Sequence, residues 1–359
     1  MQINPNNLLL KYLYILLISL IISACSRCPF DESPGVITPS PSSDSLRTEL
    51  GSADGWSESK LSLSLEYANE IGSSAIVILH EGKVVAEWGN TIKKLNSHSV
   101  RKSLLNSLYG IAIERGLIDI SKTLEQVSID DKAPSLSNEE KQATIEDLLK
   151  SRSGVYHQAA YESNNAKRTR PARGSHPPGS FWYYNNWDFN ALASIFENAT
   201  QLSVGQAFLL WIANPIGMLD FSENDVDYVY EQSSIHPAYP FWITTRDLAR
   251  FGVLYLNEGV WQETQIVPKS WIEASLQKYS DASSNPDDLT YYGYLWWVKE
   301  DGSYWAQGTG QQVLYINPSL KLVISHRTDT CQIDEDFRPV SQEIDNLIAS
   351  VINAHPVNQ

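Results

Sequence analysis

Ser99-Val-Arg-Lys-Ser-Leu-Leu-Asn-Ser-Leu-Tyr-Gly-Ile-Ala112 opens a helix and sets a serine and a lysine in its first turn. Leu104, Leu105, Leu108, Ile111, Ala112 and Leu117 recur at three- and four-residue spacing, the period of a helix with a buried face. Gly116 stands near its end. On such a helix, positions three apart share a face, so Lys102 can reach the Ser99 hydroxyl. The positive end of the helix favours negative charge developing there. A serine hydroxyl is a weak nucleophile until a base takes its proton. Lysine serves as that base only if burial or a neighbouring cation brings its pKa down from about 10.4. Ser-x-x-Lys also occurs at Ser57–Lys60 and Ser275–Lys278, so the spacing alone selects nothing. Context selects Ser99, because the apolar helix that follows would bury it at the centre of the fold.

Upstream, Ala75-Ile-Val-Ile-Leu-His80 and Val84-Val-Ala-Glu-Trp88 flank Glu81-Gly82-Lys83 and predict a hairpin. Downstream, Thr144-Ile-Glu-Asp147 predicts a capped helix start, Trp187–Met218 is apolar at helical spacing, and Thr244-Thr-Arg-Asp247 caps a further stretch to about Leu256. Strands are expected at Tyr292–Val298, Tyr304–Gly308, Gln312–Ile316 and Lys321–His326, with turns at Asp301-Gly302 and Asn317-Pro318, and a last helix at about Val340–Asn353. Strands at both ends and helices between them give an α+β class rather than an alternating βαβ one: an antiparallel sheet built from both chain ends, with a helical domain inserted. The folded domain is expected over residues 56–355, with 56–98 and 285–355 in the sheet subdomain and 99–284 in the mostly helical one.

The chain has 359 residues, 42% of them apolar, enough for a sizeable core. With 27 basic against 42 acidic residues the net charge is −15. Such a surface repels a phosphate backbone, so no nucleic-acid partner is expected. The seven histidines show no close pairing of the kind zinc sites use, and neither a metal nor a cofactor is expected.

Residues 1–25 carry one charge, Lys11, ahead of an apolar run from Tyr12 to Ile22 that is too short to span a bilayer and fits a signal peptide. The run ends in Ile22-Ser-Ala-Cys25, which resembles a bacterial lipobox, with Cys25 as the lipidated residue. Ser26 after the cysteine matches the outer-membrane sorting pattern. Ser- and Pro-rich residues 26–55 read as a flexible tether. The expected location is therefore the bacterial envelope, with membrane contact only through the lipid anchor and a monomeric soluble domain. Cys28 and Cys331 remain, and their pairing is left open.

A second motif supports the Ser99 reading. In Pro178-Gly-Ser-Phe-Trp-Tyr-Tyr-Asn-Asn-Trp-Asp188 a Tyr-x-Asn follows a Pro-Gly. With Ser99-x-x-Lys102, this resembles the serine β-lactamase and penicillin-binding superfamily, in its branch of class C β-lactamases, esterases and 6-aminohexanoate-oligomer hydrolases. The resemblance runs over nearly all of residues 60–350 and takes in Ser151-Arg-Ser-Gly154 and Asp247-Leu-Ala-Arg-Phe-Gly252. It implies a β-lactamase/transpeptidase-like fold. Both Tyr183–Asn185 and Tyr184–Asn186 fit the motif, and the family's spacing favours Tyr184 and Asn186. The family's third motif, Lys/His-Thr/Ser-Gly, falls on Ala306-Gln307-Gly308, which keeps the glycine and lacks the cation that helps bind a substrate carboxylate. Arg173, His176 and Arg246 are candidates to replace that charge, though each reads more simply as a surface or structural residue.

The resemblance implies a serine hydrolase that cleaves a small ester or amide, or a peptide, through an acyl-enzyme on Ser99. Lys102 and Tyr184 share the proton transfers, an ammonium lowering the tyrosine pKa and burial lowering that of the lysine. Asn186 holds this network or a substrate amide. The backbone N–H groups of Ser99 and Thr309, after Gly308, form the oxyanion hole. The aromatic residues Phe181, Trp182, Tyr183, Trp187, Trp296 and Trp297 read first as packing and second as a substrate pocket. Two alternatives stand beside this: a penicillin-binding-type peptidase or β-lactamase, and a catalytically silent binding lipoprotein.

Overall fold

A computed structural model describes residues 55–284, 288–332 and 341–358. The expected signal peptide with Cys25, the tether up to residue 54, and Cys28, whose pairing with Cys331 is left open, lie outside the described residues.

Eight strands form one antiparallel sheet: β1 (Ala75–His80), β2 (Lys83–Gly89), β3 (Ser280–Asp281), β4 (Thr290–Tyr292), β5 (Trp297–Lys299), β6 (Tyr304–Gly308), β7 (Gln312–Asn317) and β8 (Leu322–Arg327). Their spatial order is β2-β1-β8-β7-β6-β5-β4-β3. β1 and β2 make the hairpin expected at Glu81-Gly82, with His80 opposite Lys83. β1 also pairs with β8, from Ala75 opposite Arg327 to His80 opposite Leu322, and so closes the sheet between the two ends of the chain. The class is the α+β, β-lactamase/transpeptidase-like one expected.

The continuous apolar run of β1 follows from cover on both faces. Val77 and Leu79 turn toward the core shared with the inserted helices. Ile76 and Ile78 turn toward a second core beneath α1 (Glu58–Glu70) and the C-terminal helix Gln342–Ala354. The alternation Leu61, Leu63, Leu65 hides α1 from a periodicity reading. Only Leu61, Ser64 and Ala68 of that helix are buried. Ser57 is its N-cap, its Oγ accepting the Lys60 N–H at 3.4 Å, so the first Ser-x-x-Lys match is a helix cap. The third is also structural. Buried Ser275 accepts from Asn106 Nδ2 at 2.9 Å, and Lys278 pairs with Glu300 at 2.7 Å.

Between the sheet halves lie α2 (Arg101–Glu114), α3 (Ile145–Leu149), α4 (Asn186–Thr200) and α5 (Thr245–Leu256). The capping box at Thr144 forms: Thr144 Oγ1 accepts the Asp147 N–H at 3.1 Å, and the Asp147 carboxylate accepts the Thr144 N–H at 2.9 Å. α2 is buried nearly all round, which is why its sequence carries apolar residues on more than one face.

One strand expectation needs correction. Tyr292–Val298 is not a single strand but β4 and β5 with a break at Gly293-Tyr-Leu295. Leu295 takes φ 61°, and a Cβ at Gly293 would come within 2.1 Å of the Ser275 carbonyl oxygen. The break is tied to α2, since Ser103 Oγ donates to the Leu295 carbonyl at 2.7 Å and Asn106 Nδ2 to that of Tyr294 at 2.9 Å. Two carbonyls freed from the ladder thereby lock the helix behind the Ser99 turn to the sheet.

Candidate active site

Asn96, Ser97 and His98 set the entry to α2. Asn96 Oδ1 accepts the His98 N–H at 2.8 Å, and Ser97 N–H donates to the Phe241 carbonyl at 2.7 Å. His98 takes φ 45° and starts a 3₁₀ turn, His98–Val100, that runs directly into the helix. Ser99 therefore sits half-buried at the mouth of α2, and Lys102 one turn further is 2% exposed. Lys102 Nζ lies 2.7 Å from Ser99 Oγ and 2.6 Å from Tyr184 Oη. It also stands 4.3 Å from the centre of the Tyr184 ring and 4.5 Å from that of Phe189.

Of the two tyrosines, the structure brings Tyr184 to the cluster and turns Tyr183 away. Tyr183 Oη donates to the Ala166 carbonyl at 3.0 Å, on the short helix Asn164–Thr169. This division is enforced by Ser151, which holds φ 57°. Its hydroxyl donates to the Tyr183 carbonyl at 2.6 Å and accepts the Asn185 N–H at 3.0 Å. Arg152 Nε grips the Gly179 carbonyl at 2.9 Å. The Ser151-Arg-Ser-Gly154 segment is thus the clamp on the tyrosine loop, a role that its sequence did not announce.

The two asparagines divide in the same way. Asn185 is the N-cap of α4, its Oδ1 accepting the Trp187 N–H at 3.3 Å while Nδ2 donates to the Val155 carbonyl at 2.7 Å and to Asp188 Oδ1 at 2.8 Å. Asn186, 8% exposed, has no side-chain hydrogen bond among the described residues, so its amide is free for another partner.

Gly308 ends β6 against the nucleophile turn. A Cβ there would lie 2.6 Å from the Ser97 carbonyl oxygen and 3.0 Å from Ser99 N. Both atoms are backbone and cannot swing aside. Gly308→Ala should therefore cut the rate of covalent modification at Ser99 by about 10²–10³ and cost about 1–3 kcal/mol of stability through overpacking. A near-wild-type rate in a melt-matched comparison would mean that the strand end does not shape the site. Thr309 follows in a turn toward β7.

The electrostatics differ from expectation for one partner. Burial, and secondarily the Arg101 charge, hold the Lys102 amine well below its usual range, as expected. The Tyr184 phenol is not lowered. Burial pushes it up to about 12, against smaller opposing effects of a hydrogen bond with Ser99 and of Arg101. A lysine disfavoured as the ammonium does little to stabilise a phenolate, and Tyr184 stays a neutral phenol at neutral pH.

No replacement for the missing third-motif cation emerges from the three candidates. Arg173 pairs with Glu140 at 2.7 Å, Arg246 grips both oxygens of Asp220, and His176 stacks on Phe181 at 4.0 Å. Trp187 and Trp296 are fully buried core residues. Trp297 is only partly covered and stacks on Tyr184 at 5.5 Å, and Trp182 meets Trp297 edge-on at 6.2 Å, so of the aromatic set Trp297 flanks the cluster with Trp182 behind it. Among the described residues no group of histidines, cysteines and carboxylates could hold a metal.

Comparison with known proteins agrees with the fold. The chain is similar to a protein from Bacillus anthracis designated a 6-aminohexanoate-dimer hydrolase, at 25% identity and TM-score 0.62 over 81% of each chain. It shares its fold with a penicillin-binding protein homologue from Pyrococcus abyssi, at 16% identity and TM-score 0.60 over 83% of this chain and 78% of that one. An uncharacterised protein from Alkalihalophilus pseudofirmus is 23% identical over 72% of this chain and 82% of its own. The model of the Beta-lactamase family matches residues 66–328, and by that match, spanning both the sheet and the inserted helices, this chain belongs to the β-lactamase family and is, at that level, a serine hydrolase.

Proposed function

We propose that the protein cleaves an ester or amide through an acyl-enzyme on Ser99, with Lys102 as base and Tyr184 as the proton donor to the leaving group. The observation that carries this reading is the buried Lys102, whose amine lies 2.7 Å from Ser99 Oγ and 2.6 Å from Tyr184 Oη. Ser99 gives its proton to Nζ as Oγ attacks the substrate carbonyl, and the N–H groups of Ser99 and Thr309 receive the developing oxyanion. As the carbon–heteroatom bond breaks, Tyr184 passes its proton to the leaving group and takes one from the Lys102 ammonium. Water then enters, gives a proton back through the same pair, and releases the acid with Ser99 restored. The unengaged Asn186 amide orients the substrate carbonyl or amide. Ala306 leaves a substrate carboxylate without the family's usual cation, which favours a neutral ester or amide over a β-lactam or cell-wall peptide. The sequence Ile22-Ser-Ala-Cys25 supports lipid anchoring of this activity in the envelope.

Intact mass after exposure of a soluble chain lacking residues 1–28 to a fluorophosphonate, to p-nitrophenyl esters of graded length and to a penicillin tests the assignment. Adducts with the first two, and fast ester turnover, are expected. A long-lived penicillin adduct with no ester turnover would replace this reading by the penicillin-binding one. No adduct with any reagent, on folded protein, would leave a binding lipoprotein.

The two tyrosines give a sharper test. Tyr184→Phe should slow ester turnover by about 10²–10⁴, whereas Tyr183→Phe, which loses one contact to a backbone carbonyl, should stay within about threefold of wild type. Steady-state kinetics on both variants checks this, and the opposite pattern would move the proton donor by one residue.

A further inference from the structure

Arg101, between the Ser99 and Lys102 positions, is 1% exposed, and nothing in the mechanism above uses it. Among the described residues its guanidinium touches only uncharged groups: Nη1 donates to the His98 carbonyl at 3.4 Å and Nη2 to Asn190 Oδ1 at 3.2 Å. Nε has no partner among them. The flat face stacks 5.1 Å from the Tyr239 ring centre and 5.7 Å from that of Tyr161. A buried arginine is ordinarily paired with a carboxylate, because an isolated buried charge is costly. Here none is supplied. Asp188, two residues before Asn190, faces Ser153 and Asn185 rather than Arg101, and full burial pushes its carboxyl well above the usual range. Glu197 is engaged by Tyr228 and the Val204 N–H.

The other ionisable groups around the cluster add no negative charge. His98 bonds to Thr330 Oγ1 at 2.8 Å and to Tyr161 Oη at 3.1 Å, and burial first, then Arg327 and Arg101, lower it to about 3, which leaves it neutral. Arg327, on β8, is fully buried and donates to Gln312 Oε1 and to the carbonyls of Ile243 and Leu95. Tyr184 and Tyr239 are both neutral, each pushed up by burial.

We propose that Arg101 is a positioning residue for Lys102: next to it in the first turn of α2, buried, and without a carboxylate partner among the described residues, it favours the neighbouring amine that Ser99 needs over the ammonium. The inference rests on the reading of Ser99 and Lys102 as nucleophile and base. A like charge on the adjoining residue disfavours the ammonium without touching substrate, and adds to the larger effect of burial. The cost of burying it is spread over two aromatic faces and two neutral acceptors.

The test is the pH dependence of fluorophosphonate labelling of Ser99, between pH 5 and 10, in wild type, Arg101→Gln, Arg101→Lys and Asn190→Asp. Removing the charge should move the acid limb of the profile upward by about one pH unit, with the alkaline plateau kept within about threefold. Arg101→Lys should restore the wild-type limb. Asn190→Asp keeps the guanidinium and sets a carboxylate against it, and it too should move the limb upward. A lowered plateau with an unmoved limb in folded Arg101→Gln and Asn190→Asp would make Arg101 merely structural. So would a shift in Arg101→Lys as large as in Arg101→Gln. A wild-type limb near 10, where an ordinary lysine titrates, overturns the proposal even if no variant folds. Labelling that persists in Ser99→Ala would instead sink the underlying reading, so the two failures are distinguishable.

Discussion

Ser99→Ala should abolish covalent labelling and lower ester turnover by about 10⁵–10⁶ while leaving the fold intact. The size follows from the chemistry: without Oγ no acyl-enzyme forms, and the surviving oxyanion donors and binding contacts give only residual acceleration over water. The intact fold follows from the geometry. Ser99 is half-buried, and the bonds lost are the one to Lys102 Nζ at 2.7 Å and the one shared with Tyr184. Lys102 keeps Tyr184 Oη at 2.6 Å, so no buried donor is left wholly unsatisfied. A melting temperature within about 2–4 °C of wild type is expected, equivalent to roughly 1 kcal/mol. Mass spectrometry and the burst amplitude with a p-nitrophenyl ester read the outcome. An unchanged burst would refute the assignment, and neither other Ser-x-x-Lys match could take over. Ser57 caps α1, and Lys278 is drawn to Glu300 rather than to Ser275.

The parts of this arrangement that were legible in the sequence are those where one local signal has one physical meaning. The hairpin at Glu81-Gly82, the capping box at Thr144 and the strands of β6, β7 and β8 follow from residue type and spacing, and they appear within a residue or two of expectation. The Ser99–Lys102 pair was legible because helical periodicity fixes what lies three residues away. What was not legible depends on contacts distant in sequence. Tyr-x-Asn alone does not separate Tyr183 from Tyr184; only the resemblance's spacing after Pro-Gly favours Tyr184, and the physical cause, the Ser151 hydroxyl bonded to the chain on both sides of Tyr184, lies far off in sequence. The break between β4 and β5 needs a close approach to Ser275 that no local sequence feature reports.

The electrostatic reading failed for a related reason. Pairing a lysine with a tyrosine suggests an ammonium that lowers the phenol. The opposite holds here, because burial and the Arg101 charge disfavour the ammonium of Lys102, and burial of Tyr184 outweighs the Ser99 hydrogen bond and the Arg101 charge that favour a phenolate. Arg101 reads in the sequence as one more helix residue, and its burial against Tyr239 and Asn190 is a property of the assembled core. A site whose working residues are each mildly at odds with folding stability is what function tends to demand of a stable scaffold.

That conflict makes Lys102→Met informative beyond its loss of activity. Turnover should fall by at least about 10³, since the serine loses its base, yet the variant should be more stable than wild type at neutral pH by about 1–2 kcal/mol. The sign follows from the lowered amine. The unfolded chain holds a proton on Lys102 up to about pH 10.4, while burial in the folded protein disfavours the ammonium, so at neutral pH folding is weakened by that difference. Methionine fills a similar volume in a pocket bounded by the rings of Tyr184 and Phe189 and carries no such cost. Ser99 and Tyr184 retain each other as hydrogen-bond partners. Because the penalty shrinks as the unfolded lysine itself deprotonates, the advantage of methionine should decline as pH rises and vanish above about pH 10.4. Melting curves of both proteins at pH 7 and at the alkaline end of their stable range measure this difference. A Lys102→Met protein less stable than wild type at pH 7 would mean that the buried amine is held as an ammonium with net favourable contacts, and the base assigned to Ser99 would have to be sought elsewhere.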